Sequence, residues 1–218
     1  MIADLDLDGA ESFAKKLNEG AGSFRAAALR VDVISELDTQ IMADKTVEIF
    51  GRIDVLLNNV GVYPHVAFQD ISYEAWRQVL AINLDSIFLC SKAVLPSMKH
   101  QGGGKIINVA SDLIWVGLPG MVHYTAAKSG IIGFTRSLAR EMGMYGITVN
   151  TIAPGAVIPD IVLDPMSQNR MDAIINHQCI KRKLRPDDLV GPLIFLASSD
   201  SDFISAQILT VDGGLTTH

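Results

Sequence analysis

Short runs of consecutive apolar residues alternate with longer segments whose apolar positions recur three or four apart, and this continues along most of the chain. The short runs at 2–4, 26–31, 53–57, 105–109, 147–152 and 208–211 read as strands, several apolar on both faces. The longer segments at 8–18, 36–50, 73–100, 122–144 and 187–196 read as helices. Gly20 and Gly22 close the first helix and Gly51 the second, while Pro96 marks a bend or the onset of an end in the third. Gly102 to Gly104 precede a strand without a following helix, so they read as a turn and not as a phosphate cradle. Residues 154–186, rich in Pro, Asp, Met and Asn, form a looser segment. Strand and helix in alternation predict an α/β fold, with a doubly wound, mostly parallel sheet covered by helices on both faces. There is no repeat, low-complexity tract or linker, so residues 1–218 read as a single domain.

Composition narrows the function classes. At 49% hydrophobic and 19% charged residues the chain is globular. Eighteen Lys and Arg against 24 Asp and Glu leave a formal charge of −6, which argues against a nucleic-acid partner. The basic run from Lys181 to Arg185 reads as a solvated loop, with an NADP-phosphate or anionic-substrate contact as the alternative. Two cysteines make no disulfide framework, and Cys90 falls on an apolar helix as a small core residue. No Cys/His spacing suggests a metal. The chain shows no signal-peptide pattern and no apolar stretch near twenty residues, so the expected setting is cytoplasmic, without a membrane partner.

The chemistry gathers at one place. Tyr124 and Lys128 stand four apart in a helical segment and share a face, with Ser111 thirteen residues before Tyr124 at the end of the 105–109 strand. An ammonium beside a phenol favours phenolate and should lower the tyrosine pKa from its reference of about 10. Such a phenol can exchange a proton with an alcohol, and a serine hydroxyl can hold the same oxygen. In open α/β sheets, ligands bind outside the carboxyl ends of the strands, where Ser111 falls. His123 adjoins Tyr124 but points elsewhere and reads as a packing or pocket-wall residue.

In these residues the chain resembles the short-chain dehydrogenases/reductases. The similarity runs from residue 1 to the C-terminus through several motifs in family order: Asn58-Asn59-Val60-Gly61, Asn83, the Ser111–Tyr124–Lys128 set, Pro154-Gly155, and Gln207 through Asp212-Gly213-Gly214. The resemblance implies a Rossmann-like fold and a catalytic set of Asn83, Ser111, Tyr124 and Lys128. It implies NAD as cofactor, touched by Asp4, Asp32, Val33, Asn59, Tyr124, Lys128 and Val157. Asp4 closes a strand where a carboxylate can bond the adenosine ribose and repel a 2′-phosphate; the other reading is a turn or helix-cap Asp. Asp6 and Asp8 could also cap the helix.

Implied chemistry is hydride transfer between NAD(H) and a secondary alcohol or ketone, with Gly61 to Pro64, Trp115 and a lid around 161–171 forming an apolar pocket. A 3-oxoacyl-(acyl-carrier-protein) reductase is the rival enzyme, and a catalytically silent subunit the rival class. Helices 73–100 and 122–144 resemble the family's four-helix interface, implying a homodimer or homotetramer. Two departures stand out. Pro159 occupies a position where the family often has Thr. The chain also opens at the family's second strand, so the first strand, Gly-rich turn and helix are expected to be missing. Met1 stands where a Val is usual, which suggests an internal start with roughly 30–35 residues omitted. Without that central strand its two neighbours should lie about 10 Å apart unless the sheet re-forms. The alternative, a true fragment, is expected to bind NAD poorly or not at all.

Overall fold

A computed structural model describes residues 1–157 and 165–217. The chain runs β1 (Ile2–Asp4), α1 (Leu7–Ala21), β2 (Ala28–Arg30), α2 (Glu36–Phe50), β3 (Val55–Asn58), α3 (Tyr73–Leu80) and α4 (Ser86–His100). It continues through β4 (Gly104–Val109), α5 (Leu113–Val116), α6 (Val122–Met142), β5 (Ile147–Pro154), α7 (Pro165–His177), α8 (Asp187–Ala197) and β6 (Ile208–Val211). Every strand pairing between these elements is parallel. This is the expected α/β, Rossmann-like arrangement, with strands joined through helices as parallel pairing requires.

The helix boundaries have local causes. Ser35 caps α2 by accepting from the Asp38 N–H, and Gly51 ends it in the left-handed region at φ 81°. Asp6 caps α1 through the Gly9 N–H, and Gly22 closes that helix at φ 63°. Gly20 lies inside α1 and is not a cap. Pro96 sits within α4, in the last turns before the helix ends at His100. Residues 165–177, expected to be loose, form α7. The run Tyr73–His100 is long and apolar enough, by length and composition, to cross a membrane, a point the sequence reading missed. In the fold it packs against α2, α6, β3 and β4.

Burial on both faces explains the apolar runs. Ile106 and Val149 pack with Met98, Ala139 and Met142 beneath α4 and α6. Their neighbours Ile107 and Ile152 face the other way, onto Leu189, Leu193 and Leu196 of α8. Successive strand residues point to opposite faces, so one strand serves two cores. Threaded between the layers is a buried polar ladder. Asn58 Nδ2 donates to Asn108 Oδ1 at 2.8 Å, Asn108 Nδ2 donates to Thr135 Oγ1 at 2.9 Å, and Thr135 meets Thr151 hydroxyl to hydroxyl at 2.8 Å.

The strands form two sheets, β1-β2 and β3-β4-β5-β6. Ala3, Leu29 and Leu56 nevertheless share one apolar cluster with Met42 of α2 and Cys90 of α4, so one helix layer supports both sheets. Among the described residues no strand bridges β1 and β3. Val55 and Leu57, on the face of β3 away from that helix layer, are 38% and 43% exposed. The two sheets stay separate between β1 and β3.

Candidate active site

The carboxyl ends of six parallel strands gather the residues singled out from the sequence. Asp4 ends β1, Asp32 and Val33 follow β2, and Asn59 follows β3. Ser111 lies just beyond β4, Val157 beyond β5, and Asp212 follows β6. Tyr124 and Lys128 come from the first two turns of α6, and Asn83 from the joint between α3 and α4.

Ser111 is buried where β4 turns into α5. Its hydroxyl donates to Asp112 Oδ1 at 3.2 Å and accepts from the Leu113 N–H at 3.2 Å. Ser111 also acts on the Tyr124 phenol, lowering its pKa. Lys128, 3% exposed, sends its ammonium to the Val109 carbonyl at 2.8 Å, and Nζ stands 5.7 Å from the centre of the Tyr124 ring. The strand end, the phenol and the ammonium therefore meet in one place, as the spacing predicted.

The electrostatics differ from expectation. Burial raises the Tyr124 pKa above its ordinary value, and the negative charge of Asp112 and the neighbouring Tyr63 raise it further, against the lowering effect of Ser111. Lys128 is not the acidifying partner in this state. Its ammonium is drawn to the end of β4 and lies over the ring, and its own pKa is pushed down to about 8 by burial. Desolvation of both groups outweighs their mutual attraction, so Tyr124 is held as a neutral phenol.

Asn83 is fully buried in a π-helical turn spanning Ala81–Asp85, where the Ser86 N–H reaches back to the Ala81 carbonyl. Such turns are rare and frequent at functional sites. Its amide donates to the Val79 and Val62 carbonyls, both at 2.9 Å, which ties the loop after β3 to the helix. Asn83 Oδ1 has no hydrogen-bond partner. Gly61 passes so close that a Cβ there would stand 2.8 Å from Asn83 Oδ1 and 3.4 Å from Lys128 Nζ. Asn83, Gly61 and Lys128 thus share one small space.

The cofactor-side residues are more loosely held. Asp4 is exposed and one carboxylate oxygen accepts from the Asp6 N–H at 3.0 Å, so the turn reading is realised while the second oxygen has no such bond. Asp32 likewise accepts from the Ile34 N–H. Val33 packs against the cluster of Val31, Met42 and Cys90, and Asn59 is exposed. Val157 forms an isolated bridge with Leu184. Pro159 and positions 161–164 of the expected lid lie outside the described residues.

Several quieter readings also meet the structure. His123 is buried and its Nδ1 accepts from the Tyr124 N–H at 3.0 Å, a packing role. Cys90 is buried with its thiol pushed up to about 11. Arg182 pairs with both oxygens of Asp188, and Lys181 donates to the Asn176 and Gln178 carbonyls, so these two members of the basic run are engaged within the chain. Asp112 was missed from the sequence. Its signal was a carboxylate placed directly after the serine in an otherwise apolar stretch.

Parallel strands under helices, a catalytic-type Ser–Tyr–Lys cluster at their carboxyl ends and acidic residues at the ends of the first two strands define an oxidoreductase of the nucleotide-binding α/β class. The family profile described as enoyl-(acyl carrier protein) reductase matches residues 1–216. D-threitol dehydrogenase of Mycolicibacterium smegmatis is 37% identical over 213 residues, covering 98% of this chain and 81% of that one. A 3-oxoacyl-(acyl-carrier-protein) reductase of Staphylococcus epidermidis is 32% identical over 215 residues, 99% of this chain and 82% of its own. The crystal structure of a protein described as a short-chain alcohol dehydrogenase from Sinorhizobium meliloti 1021 superposes with a TM-score of 0.91 at 28% identity, over 98% of this chain and 84% of that one. The chain belongs to the short-chain dehydrogenase/reductase family and is an oxidoreductase, of a family that works with nicotinamide cofactors.

Proposed function

We propose that the protein interconverts a secondary alcohol and its ketone with NAD(H), through Ser111, Tyr124, Lys128 and Asn83. The observation that carries this reading is the convergence of a buried serine hydroxyl, a phenol whose acidity it influences and a buried ammonium at one strand end. The residues fit a nicotinamide cofactor: Asp4 offers a carboxylate oxygen outside its turn, and Asn83 Oδ1 and Lys128 face a shared space that a polar group can enter. When bound, the cofactor supplies or accepts the hydride at the carbinol carbon. Ser111 holds the substrate oxygen, and Tyr124, kept as phenol, delivers its proton to that oxygen as the carbonyl is reduced. Lys128 and Asn83 restore the proton to Tyr124 from the solvent side. Oxidation runs the same transfers in reverse and needs the tyrosinate, which the raised pKa makes scarce near neutrality.

NAD is favoured over NADP because Asp4 would repel a 2′-phosphate. The acyl-carrier-protein alternative is disfavoured by an overall charge of −6 and by the engagement of Lys181 and Arg182 within the chain. We assign the exposed Phe88 of α4 and Val122 of α6 to an interface with a second copy, in a homodimer or homotetramer, and place the protein in the cytoplasm, consistent with its free cysteines. The test is a panel of secondary alcohols and ketones assayed with NAD(H) and NADP(H), run on the wild type and on Tyr124→Phe. Turnover with NAD, abolished in the variant while circular dichroism is unchanged, is expected. Near-wild-type turnover by Tyr124→Phe removes the assignment.

A further inference from the structure

Asp112 is a buried carboxyl group that the steps above do not use. It is 4% exposed, and its backbone is pinned where β4 and β5 end, with its N–H donating to the Pro154 carbonyl at 3.0 Å. Gly155 closes over it from β5: a Cβ there would stand 3.4 Å from Asp112 Oδ2 and 3.1 Å from Asp212 Cα. The titratable groups that act with it are Asp212, from the turn after β6, and Tyr124 from α6, with Tyr63 and Lys128 acting on or lying over that phenol. The Lys128 ammonium is bonded to the Val109 carbonyl and does not pair with it. Asp212 is itself committed to the N–H groups of Gly214 and Thr216 and to the Thr216 hydroxyl. Burial, with help from Asp212, pushes the Asp112 carboxyl up to about 6, against the lowering effect of Ser111 and nearby backbone N–H groups.

We propose that Asp112 is a positioning residue whose carboxyl group decides which way the Ser111 hydroxyl donates, and so whether that hydroxyl can hold a ketone oxygen. The proposal rests on the redox reading for its consequence, and on the 3.2 Å contact between the two side chains for its mechanism. A serine hydroxyl has one proton and two lone pairs. With Asp112 ionised, the proton points at Asp112 Oδ1 and nothing from Ser111 donates to substrate. With Asp112 protonated, its O–H donates to Ser111 Oγ, the Leu113 N–H fills the second lone pair, and the serine proton turns to the substrate oxygen. Losing one such donor to a developing oxyanion costs about 100-fold or more in rate.

Three measurements test this. In ketone reduction, kcat/KM of the wild type should fall as pH rises from 5 to 8, by up to about 100-fold. Asp112→Asn, whose amide can donate to Ser111 as the acid does, should be flat over that range; a wild-type fall in this variant overturns the proposal. Without substrate or cofactor, carbon-13 carboxyl titration should show one aspartate with a midpoint near 6 that is lost in Asp112→Asn and moves upward in Ser111→Ala. A midpoint that Ser111→Ala leaves in place overturns it, and this arm stands even if Asp112→Asn does not fold. Ultraviolet titration of tyrosinate should show Tyr124 ionising at lower pH in Asp112→Asn, and no movement also counts against the coupling. If both titrations behave as stated while no alcohol or ketone is turned over, the coupling is upheld and the redox reading is what fails.

Discussion

Replacing Lys128 with methionine should make the protein more stable while ending its chemistry. Lys128 is 3% exposed, and burial alone is the cause of its pKa falling from 10.5 to about 8. At about 1.4 kcal/mol per pH unit, holding this ammonium in the folded protein at pH 7 costs about 3 kcal/mol. Methionine fills much of the same space without a charge, but leaves the Val109 carbonyl without its ammonium donor, a loss of about 1 kcal/mol. The net gain expected at pH 7 is about 2 kcal/mol, which for a chain of this length raises Tm by about 4–8 °C.

The pH dependence has a definite sign. A lysine whose folded pKa is depressed contributes stability above its unfolded pKa and loses it as pH falls through the folded one. The advantage of Lys128→Met should therefore be complete below pH 8, shrink between 8 and 10.5, and vanish or reverse above that. Urea denaturation of both proteins at pH 7, 9 and 10.5 reads this directly. A variant less stable than wild type at pH 7, or a difference that does not change with pH, would refute the reasoning. The confirmed result would show the ammonium kept for catalysis at the expense of stability.

Two further substitutions test the surroundings of the site. Gly61→Ala places a methyl 2.8 Å from Asn83 Oδ1, and the displacement of Asn83 and Lys128 should lower kcat about 100-fold in steady-state assays; unchanged kcat would mean the shared space is not used. Asn108→Leu breaks the buried ladder at its centre, leaving the Asn58 amide without its acceptor and Thr135 without its amide donor, while Thr135 keeps Thr151. Denaturant unfolding should show a loss of about 3 kcal/mol, and a neutral result would mean that water satisfies the ladder.

Local pattern determined the secondary structure because each strand and helix carries its own signature. Residues 36–50 and 208–211 were delimited correctly from Gly51 and apolar runs alone. The Ser111, Tyr124 and Lys128 cluster was equally legible, since helical spacing sets which side chains share a face and a strand end sets where ligands approach. The π turn at Asn83 carried no readable signal, because its register depends on the Val62 carbonyl brought in from a distant loop. Nor could the sequence decide the acidity of Tyr124. A neighbouring lysine predicted a lowered pKa, yet the outcome depends on how much water each group loses and on where the ammonium finds an acceptor. Only packing answers that: the end of β4 takes the Lys128 charge, burial raises the phenol, and Asp112, from the turn after β4, adds its own charge to the balance. Residue identity and spacing assigned the groups, while desolvation in the assembled fold decided their protonation.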